Sequence, residues 1–332
     1  MNLLGVVFKL MRTLSAFSDE EARLAKLYLA GAVAAMMGRK LEEGDWSAVY
    51  CKAKGIPDAG WSNLNIDINY NGLGLELKLL RISSLGRRSI RDVCGTALMH
   101  PSATRSIRID NVNVDPDVVM RDILTQYGQL ISDRTNTVRA QSPSMVPDMR
   151  TGWLLWEDNL AEFLYFEESM VSPDPNRYYA TWNDTPARGA RKPSRSLWIY
   201  DKATGKKCYS VTTSAGIKIQ PYFDVPAPTD PNLCFFRVQG EPVDSRTTLL
   251  WVTYSTAQAL TARLGNIAQQ YISGRISALL DSGYQPVVQA THDEECARAI
   301  PIDTDVYNRW VALWAAKSDE HRALLLLKAL QV

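Results

Sequence analysis

Apolar and polar residues alternate most regularly between Asn63 and Ile82. Ile66, Ile68 and Tyr70 take turns with Asn65, Asp67 and Asn69, and Leu75, Leu77 and Leu79 take turns with Gly74, Glu76 and Lys78. A period of two marks a strand with one buried and one wet face, so two strands are predicted here. Between them stands Asn71-Gly72, the pair best suited to a two-residue hairpin turn. Upstream the pattern is helical. Ser18 followed by Glu21 reads as a capping box, and the proline-free run to Lys40 places Leu24, Leu27, Tyr28 and Gly31 on one side of a single helix. Pro57, Gly60 and the turn chemistry at Trp61 close that region.

Downstream, the sequence predicts a basic helix-like segment over Arg87–Leu98, a strand over Thr104–Asp110 and a helix over Asp115–Leu130 that opens on Asp-Pro-Asp. Strands are expected at Ser196–Tyr200 and Lys207–Thr213, joined by the Asp201–Gly205 loop, and again at Ile217–Phe223 and Leu249–Tyr254. Helices over Thr256–Leu280 and Asp305–Leu330 close the chain, the latter with Trp310 and Trp314 at core spacing. Such alternation predicts a mixed α/β fold with a central sheet flanked by helices. The expected division is an N-terminal helical region at 1–58 and a core at 59–255 with an inserted basic loop and hairpin at 186–213. C-terminal helices at 256–332 are expected to join the same globule.

Composition narrows the classes. With 46% hydrophobic and 22% charged residues over 332 positions, disorder is excluded. Lys+Arg 37 against Asp+Glu 36 excludes a polycationic coat protein, though local basic clusters still permit nucleic-acid binding. The five cysteines form no C-x-x-C pair, which removes zinc ribbons and thioredoxin-type chemistry and suggests reduced thiols. The longest apolar stretch, Leu27–Gly38, is shorter than the ~20 residues that span a bilayer. A soluble cytoplasmic protein without membrane contact is expected. No G-x-x-x-x-G-K-[ST], G-x-S-x-G or H-E-x-x-H occurs, so no nucleotide cofactor, hydrolase elbow or zincin helix is expected. His100 is one of three histidines and reads as structural.

The hairpin carries the chemistry. With Asn71 and Gly72 in the loop, Tyr70 faces Leu73, Asp67 faces Glu76 and Lys78 faces Asn65. Directly opposed residues have Cβ atoms roughly 4.5–5.5 Å apart, and like charges so placed repel. A shared proton or a divalent cation offsets that repulsion. Mg2+ suits it, since it is commonly held by one or two carboxylates while keeping waters and phosphate oxygens. Lys78, on the same face, can orient or deprotonate a water and balance charge at a phosphate. The plainer alternative is a solvated hairpin with a Glu–Lys pair on its wet side.

Asp67 on one strand and Glu76-x-Lys78 on the next, preceded by a helix, resembles the PD-(D/E)XK nuclease superfamily. The chain length and the single elaborated core look like a type II restriction endonuclease. The resemblance covers Ser18 to Arg108, and Ile66 stands where the motif has proline. It implies a restriction-endonuclease-like fold in which Asp67 and Glu76 ligate Mg2+, Lys78 assists the water and an acid from the preceding helix, Glu21, completes the metal site. It also implies cleavage of double-stranded DNA at a specific sequence to leave a 5′-phosphate and a 3′-hydroxyl. A prokaryotic cytoplasm is the implied setting. A palindromic site would call for a homodimer.

Two basic blocks are candidate DNA contacts. One holds Arg81, Arg87, Arg88 and Arg91 beside the hairpin. The other, Pro186–Lys207, has seven bases against one acid and includes Arg188, Arg191, Lys192 and Arg195. Phosphate contacts would supply affinity, and arginine in a groove can read guanine. The acidic, aromatic-rich stretch Glu157–Asp174 is expected to be a packed element away from DNA, or a subunit contact. Two other readings stand beside the restriction enzyme: a structure-specific or repair nuclease on the same core, and a DNA-binding protein without catalysis.

Overall fold

A computed structural model describes residues 16–35, 41–57, 66–82, 85, 88–100, 107–109, 111–157, 160–187, 192–213, 218–252 and 298–315. The chain is mixed α/β, with a central mixed sheet flanked by helices. Two N-terminal helices precede it, where the apolar pattern predicted one: α1 (Asp19–Ala35) and α2 (Glu43–Lys54). The Ser18–Glu21 capping box opens α1, with Ser18 N donating to Glu21 Oε2 at 2.7 Å and Glu21 N to Ser18 Oγ at 3.3 Å. A reciprocal Glu42–Asp45 box opens α2, and left-handed Gly55 closes it. Acidic boxes of this kind are harder to see in a sequence than Ser or Thr caps, and α2 was missed for that reason.

The hairpin forms as predicted, with β1 (Ile68–Tyr70) and β2 (Leu73–Arg81) paired Tyr70 to Leu73, Asn69 to Gly74 and Ile68 to Leu75. Asn71 at φ 47° and Gly72 at φ 83° take the left-handed conformations of a type I′ turn. The central sheet runs β1-β2-β4-β5-β10, with β4 (Asp148–Trp156), β5 (Glu162–Ser169) and β10 (Cys234–Arg237). β2 and β4 are parallel and the other pairs antiparallel. On one face Leu75, Leu77, Leu154, Phe163 and Tyr165 pack under α1 and α2, with Phe17, Trp46 and Tyr50. β4 and β5 are apolar on both faces, so they show no alternation to read. The stretch that begins at Glu157 is indeed a packed element, since β5 lies inside the sheet.

The parallel step from β2 to β4 is made by α3 (Pro116–Gln141), 26 residues and thus about 39 Å long. Asp115 caps it by accepting from the amides of Asp117 and Val118. It runs 11 residues beyond the predicted end. Its first half, through Val119, Met120, Ile123 and Leu124, packs on a second sheet. Its last turns bring Val138 against Ile66 and Met149 at the hairpin.

That second sheet is ordered β3-β9-β8-β7-β6, from β3 (Ala97–Met99), β6 (Tyr178–Thr185), β7 (Ser194–Asp201), β8 (Lys207–Thr212) and β9 (Lys218–Asp224). A third sheet of β11 (Glu241–Pro242), β12 (Thr247–Val252) and β13 (Arg298–Asp303) leads into α4 (Thr304–Ala315). Two predictions fail. The segment expected as a basic helix is a short 3-10 turn at Ile90–Val93 followed by β3, because only Ile90 and Val93 are buried there and no helical stripe continues. Residues 107–109 of the expected 104–110 strand pair with no other strand, and the rest of that strand lies outside the described residues, as does the Thr256–Leu280 helix.

Leu77 is completely buried at the centre of the leucine face. Leu77→Ala is expected to lower stability by about 2–5 kcal/mol through lost burial and a residual cavity. The urea midpoint should fall while the slope of the transition is unchanged.

Candidate active site

The turn decides where the charged side chains go. Had the ladder run two residues past Ile68, the Leu77 N–H would have met the Ile66 carbonyl. Instead Asp67 Oδ2 accepts it at 2.6 Å. Asp67 thus lies one residue before β1, where the pairing has already ended, and its carboxylate is close enough to Glu76 for the two charges to act on each other, while Asn65, expected opposite Lys78, lies outside the described residues. Glu76 Oε1 accepts two cations, Lys78 Nζ at 2.8 Å and Arg134 Nη2 of α3 at 3.3 Å. Lys78 also donates to the Leu77 carbonyl at 2.9 Å and has Glu43 Oε1, from the first turn of α2, at 3.9 Å. Only 13% of the Glu76 side chain and 20% of the Lys78 side chain are exposed. A solvated Glu–Lys pair would be far more open, so the plainer alternative is set aside.

Burial and charge act together on these groups. Loss of solvent, reinforced by the neighbouring Glu76 carboxylate, pushes the Asp67 carboxyl up to about 6 against the pull of the Leu77 amide and Lys78. Burial and Glu76 likewise raise Glu43, with Lys78 opposing. For Lys78, burial works toward the neutral amine, but Glu76, Glu43 and Asp67 outweigh it and the net shift is upward. Lys78 is consequently an ammonium at neutral pH, suited to donating hydrogen bonds and balancing charge rather than to removing a proton. Tyr127, two turns before Arg134 on the same stripe of α3, is raised by burial and by Glu76 against the pull of Arg134. Arg134, Glu43 and Tyr127 were not anticipated: α2 was unseen, and Arg134 lies past the expected end of α3.

The predicted helix acid is misplaced. Glu21 is engaged in its own cap and in an ion pair with Lys54 at 3.0 Å. Lys54 ends α2, whereas Glu43 begins it, roughly 16 Å away along the helix. Glu43 is the helix acid that faces the hairpin.

The expected DNA contacts disperse. Arg81, Arg88 and Lys192 are exposed. Arg91 lies with its guanidinium 4.9 Å from the Phe235 ring on β10, three strands from β2. Arg195 is tied into the second sheet by the Val112 carbonyl at 3.2 Å, Asp184 at 3.4 Å and the Trp182 ring at 4.5 Å. That guanidinium is held against the second sheet, away from the hairpin. Arg87, Arg188 and Arg191 lie outside the described residues.

Asp67 and Glu76 are acceptor-only, desolvated and mutually repulsive, which fits an oxygen-preferring cation that completes its shell with water. Among the described residues, no group of three or more His, Cys, Asp or Glu side chains could hold a metal ion.

His100 borders this group. Its ring is buried, with Nε2 at 3.1 Å from the Leu79 carbonyl and the Trp153 ring 5.5 Å away. Burial, with a smaller push from Lys78, lowers it to about 4. The folded state thus resists protonation that the unfolded chain accepts near 6.5. The neutral ring contributes fully above that pH, and its contribution falls away as pH drops toward 4, by about 3 kcal/mol at most. Between pH 7.5 and 4.5, His100→Gln should lose less stability than the wild type, read from urea midpoints.

No family model, no curated protein and no solved structure matches this chain.

Proposed function

We propose that the chain is a Mg2+-dependent endonuclease with a restriction-endonuclease-like core, hydrolysing phosphodiester bonds of double-stranded DNA at a specific sequence. The observation that carries this reading is the half-buried group at one hairpin, with Asp67 just before β1, Glu76 and Lys78 on β2, and Glu43 and Arg134 brought in by two helices. A fold that needed only stability would gain as much from apolar residues there, because desolvating a charge pair commonly cancels its attraction.

In this reading Asp67 and Glu76 would hold Mg2+, with Glu43 as the nearby helix acid. Bound there, the ion would supply Lewis acidity toward a phosphate and lower the pKa of a bound water. Lys78, as an ammonium, would orient the attacking water and offset charge developing on the phosphorus oxygens. Arg134, on the far side of Glu76, would meet the phosphate from α3. A two-fold DNA site would be matched by a homodimer.

One observation favours a second reading, a DNA-binding protein without catalysis: Lys78 and Arg134 already share Glu76 Oε1, so the cluster is partly neutralised by the chain itself. Plasmid DNA with Mg2+ separates the two. Discrete fragments, abolished in Glu76→Ala and reduced at least ~100-fold in Lys78→Ala, are expected of the nuclease. Binding of the duplex without any cleavage, indifferent to both Mg2+ and Glu76→Ala, would instead establish the second reading, and smeared or junction-specific products a repair nuclease. Apart from cleavage, Asp67→Asn should raise the melting temperature at pH 8 without divalent ions, since it removes a repelled buried carboxylate. The same variant should lose the further rise that Mg2+ gives the wild type.

A further inference from the structure

The second sheet has two faces of different character. Leu197, Ile199, Val211 and Ile219 point to α3 and are buried. The alternate positions form the opposite face. There Tyr179 pairs with Tyr200, Thr181 with Trp198, and Ser210 with both Trp198 and Gln220, while β9 adds Lys218 and Tyr222. Tyr179, Trp198, Tyr200 and Tyr222 are only half-buried. Aromatic side chains left partly open side by side are costly in water and mark a binding surface.

Their arrangement is specific. Tyr179 and Tyr200 stack with centroids 5.2 Å apart and planes 16° from parallel. The Lys207 ammonium stands 3.3 Å from the Trp198 ring centroid and 5.2 Å from that of Tyr222. The carboxylate that shares this face, Asp224, is closed by Lys206, with Oδ2 at 2.6 Å. That leaves Lys207 and Lys218 with no opposing acid among the described residues of the face. Rings and unopposed ammonium groups at strand spacing call for a ligand with flat π-surfaces and regular negative charge. A neutral sugar has no anion for the lysines, and a duplex keeps its base faces inside its own stack.

We propose that this face binds single-stranded nucleic acid, with bases stacking on Tyr200, Tyr222 and Trp198, the Lys207 ammonium leaving the Trp198 ring for a phosphate as a base takes its place, and a second phosphate meeting Lys218. Stacking of this kind tolerates sequence, and the lysines make it salt-sensitive. The site is independent of the Asp67 group and needs no metal.

The test uses the full chain in EDTA at low salt, with a fluorescein-labelled oligodeoxythymidine of about 12 nucleotides followed by anisotropy. Trp198→Ala should weaken binding by about tenfold or more and Trp198→Phe by far less, while the paired change Lys207→Gln, Lys218→Gln should flatten the log–log salt slope by about 1.4. Affinity should be the same in EDTA and in Mg2+, which separates this site from the catalytic proposal. If Trp198→Ala fails to fold, Tyr222→Leu reads the same face two strands away. Binding that is indifferent to Trp198→Ala and Tyr222→Leu would overturn the proposal. So would tighter binding of a duplex with no dependence on Trp198, binding of a neutral oligosaccharide in place of the oligonucleotide, or a Trp198 fluorescence component already shielded from acrylamide by the chain itself.

Discussion

The left-handed pair Asn71–Gly72 is the constraint from which the centre of this molecule follows. A two-residue turn permits one pairing of β1 with β2, and a slip of a single residue would send every side chain to the other face. In the observed register Leu75 and Leu77 go under α1 and α2. Asp67, Glu76 and Lys78 are thereby committed to a common polar group. A side chain on Gly72 would also strike Met145, whose Cβ lies 2.8 Å from where a new Cβ would stand. Conformation and space both hold the turn, and the turn holds the charges.

Placing those charges there has a cost that the fold meets with neighbours. Glu76 is nearly dry and would be expensive alone, yet two cations approach the same oxygen. Asp67 accepts the Leu77 amide and feels the Lys78 ammonium, but burial and the Glu76 carboxylate outweigh both and its carboxyl rises to about 6. The cluster is thus unequally satisfied: one carboxylate is well matched and another is held against its preference. Groups kept in that condition are more characteristic of sites that act than of sites that merely brace.

The parts of this arrangement that were legible in the sequence are those set by local rules. Alternation and the Asn-Gly turn specify the hairpin and its pairing because both depend on residues a few positions apart. The Asp115 cap and Pro116 specify where α3 starts for the same reason. Its end was not legible, since the last turns of α3 survive on tertiary contacts between Val138, Ile66 and Met149. Arg134 went unread with them. Glu43 is hidden behind an acidic cap, whereas Glu21 lies on the one helix that the apolar pattern displays ahead of the hairpin. Strands β4 and β5 carry apolar residues on both faces, which erases the very alternation that betrays a half-exposed strand.

α3 reaches from the second sheet to the hairpin. One end is nailed to the second sheet, where Asp117 Oδ1 accepts the Ala180 amide at 2.7 Å. The other delivers Arg134 to Glu76. With Asp67, Glu76 and Glu43 ionised against Lys78 and Arg134, three negative groups meet two positive ones, and one negative charge is left over. The surplus sits where solvent is scarce, so it is weakly screened and strongly felt. A cation drawn there would relieve Asp67 directly and would loosen the hold of Glu76 on Arg134. A guanidinium so loosened stays on a rigid helix beside the carboxylates, where an incoming phosphate would be its natural partner.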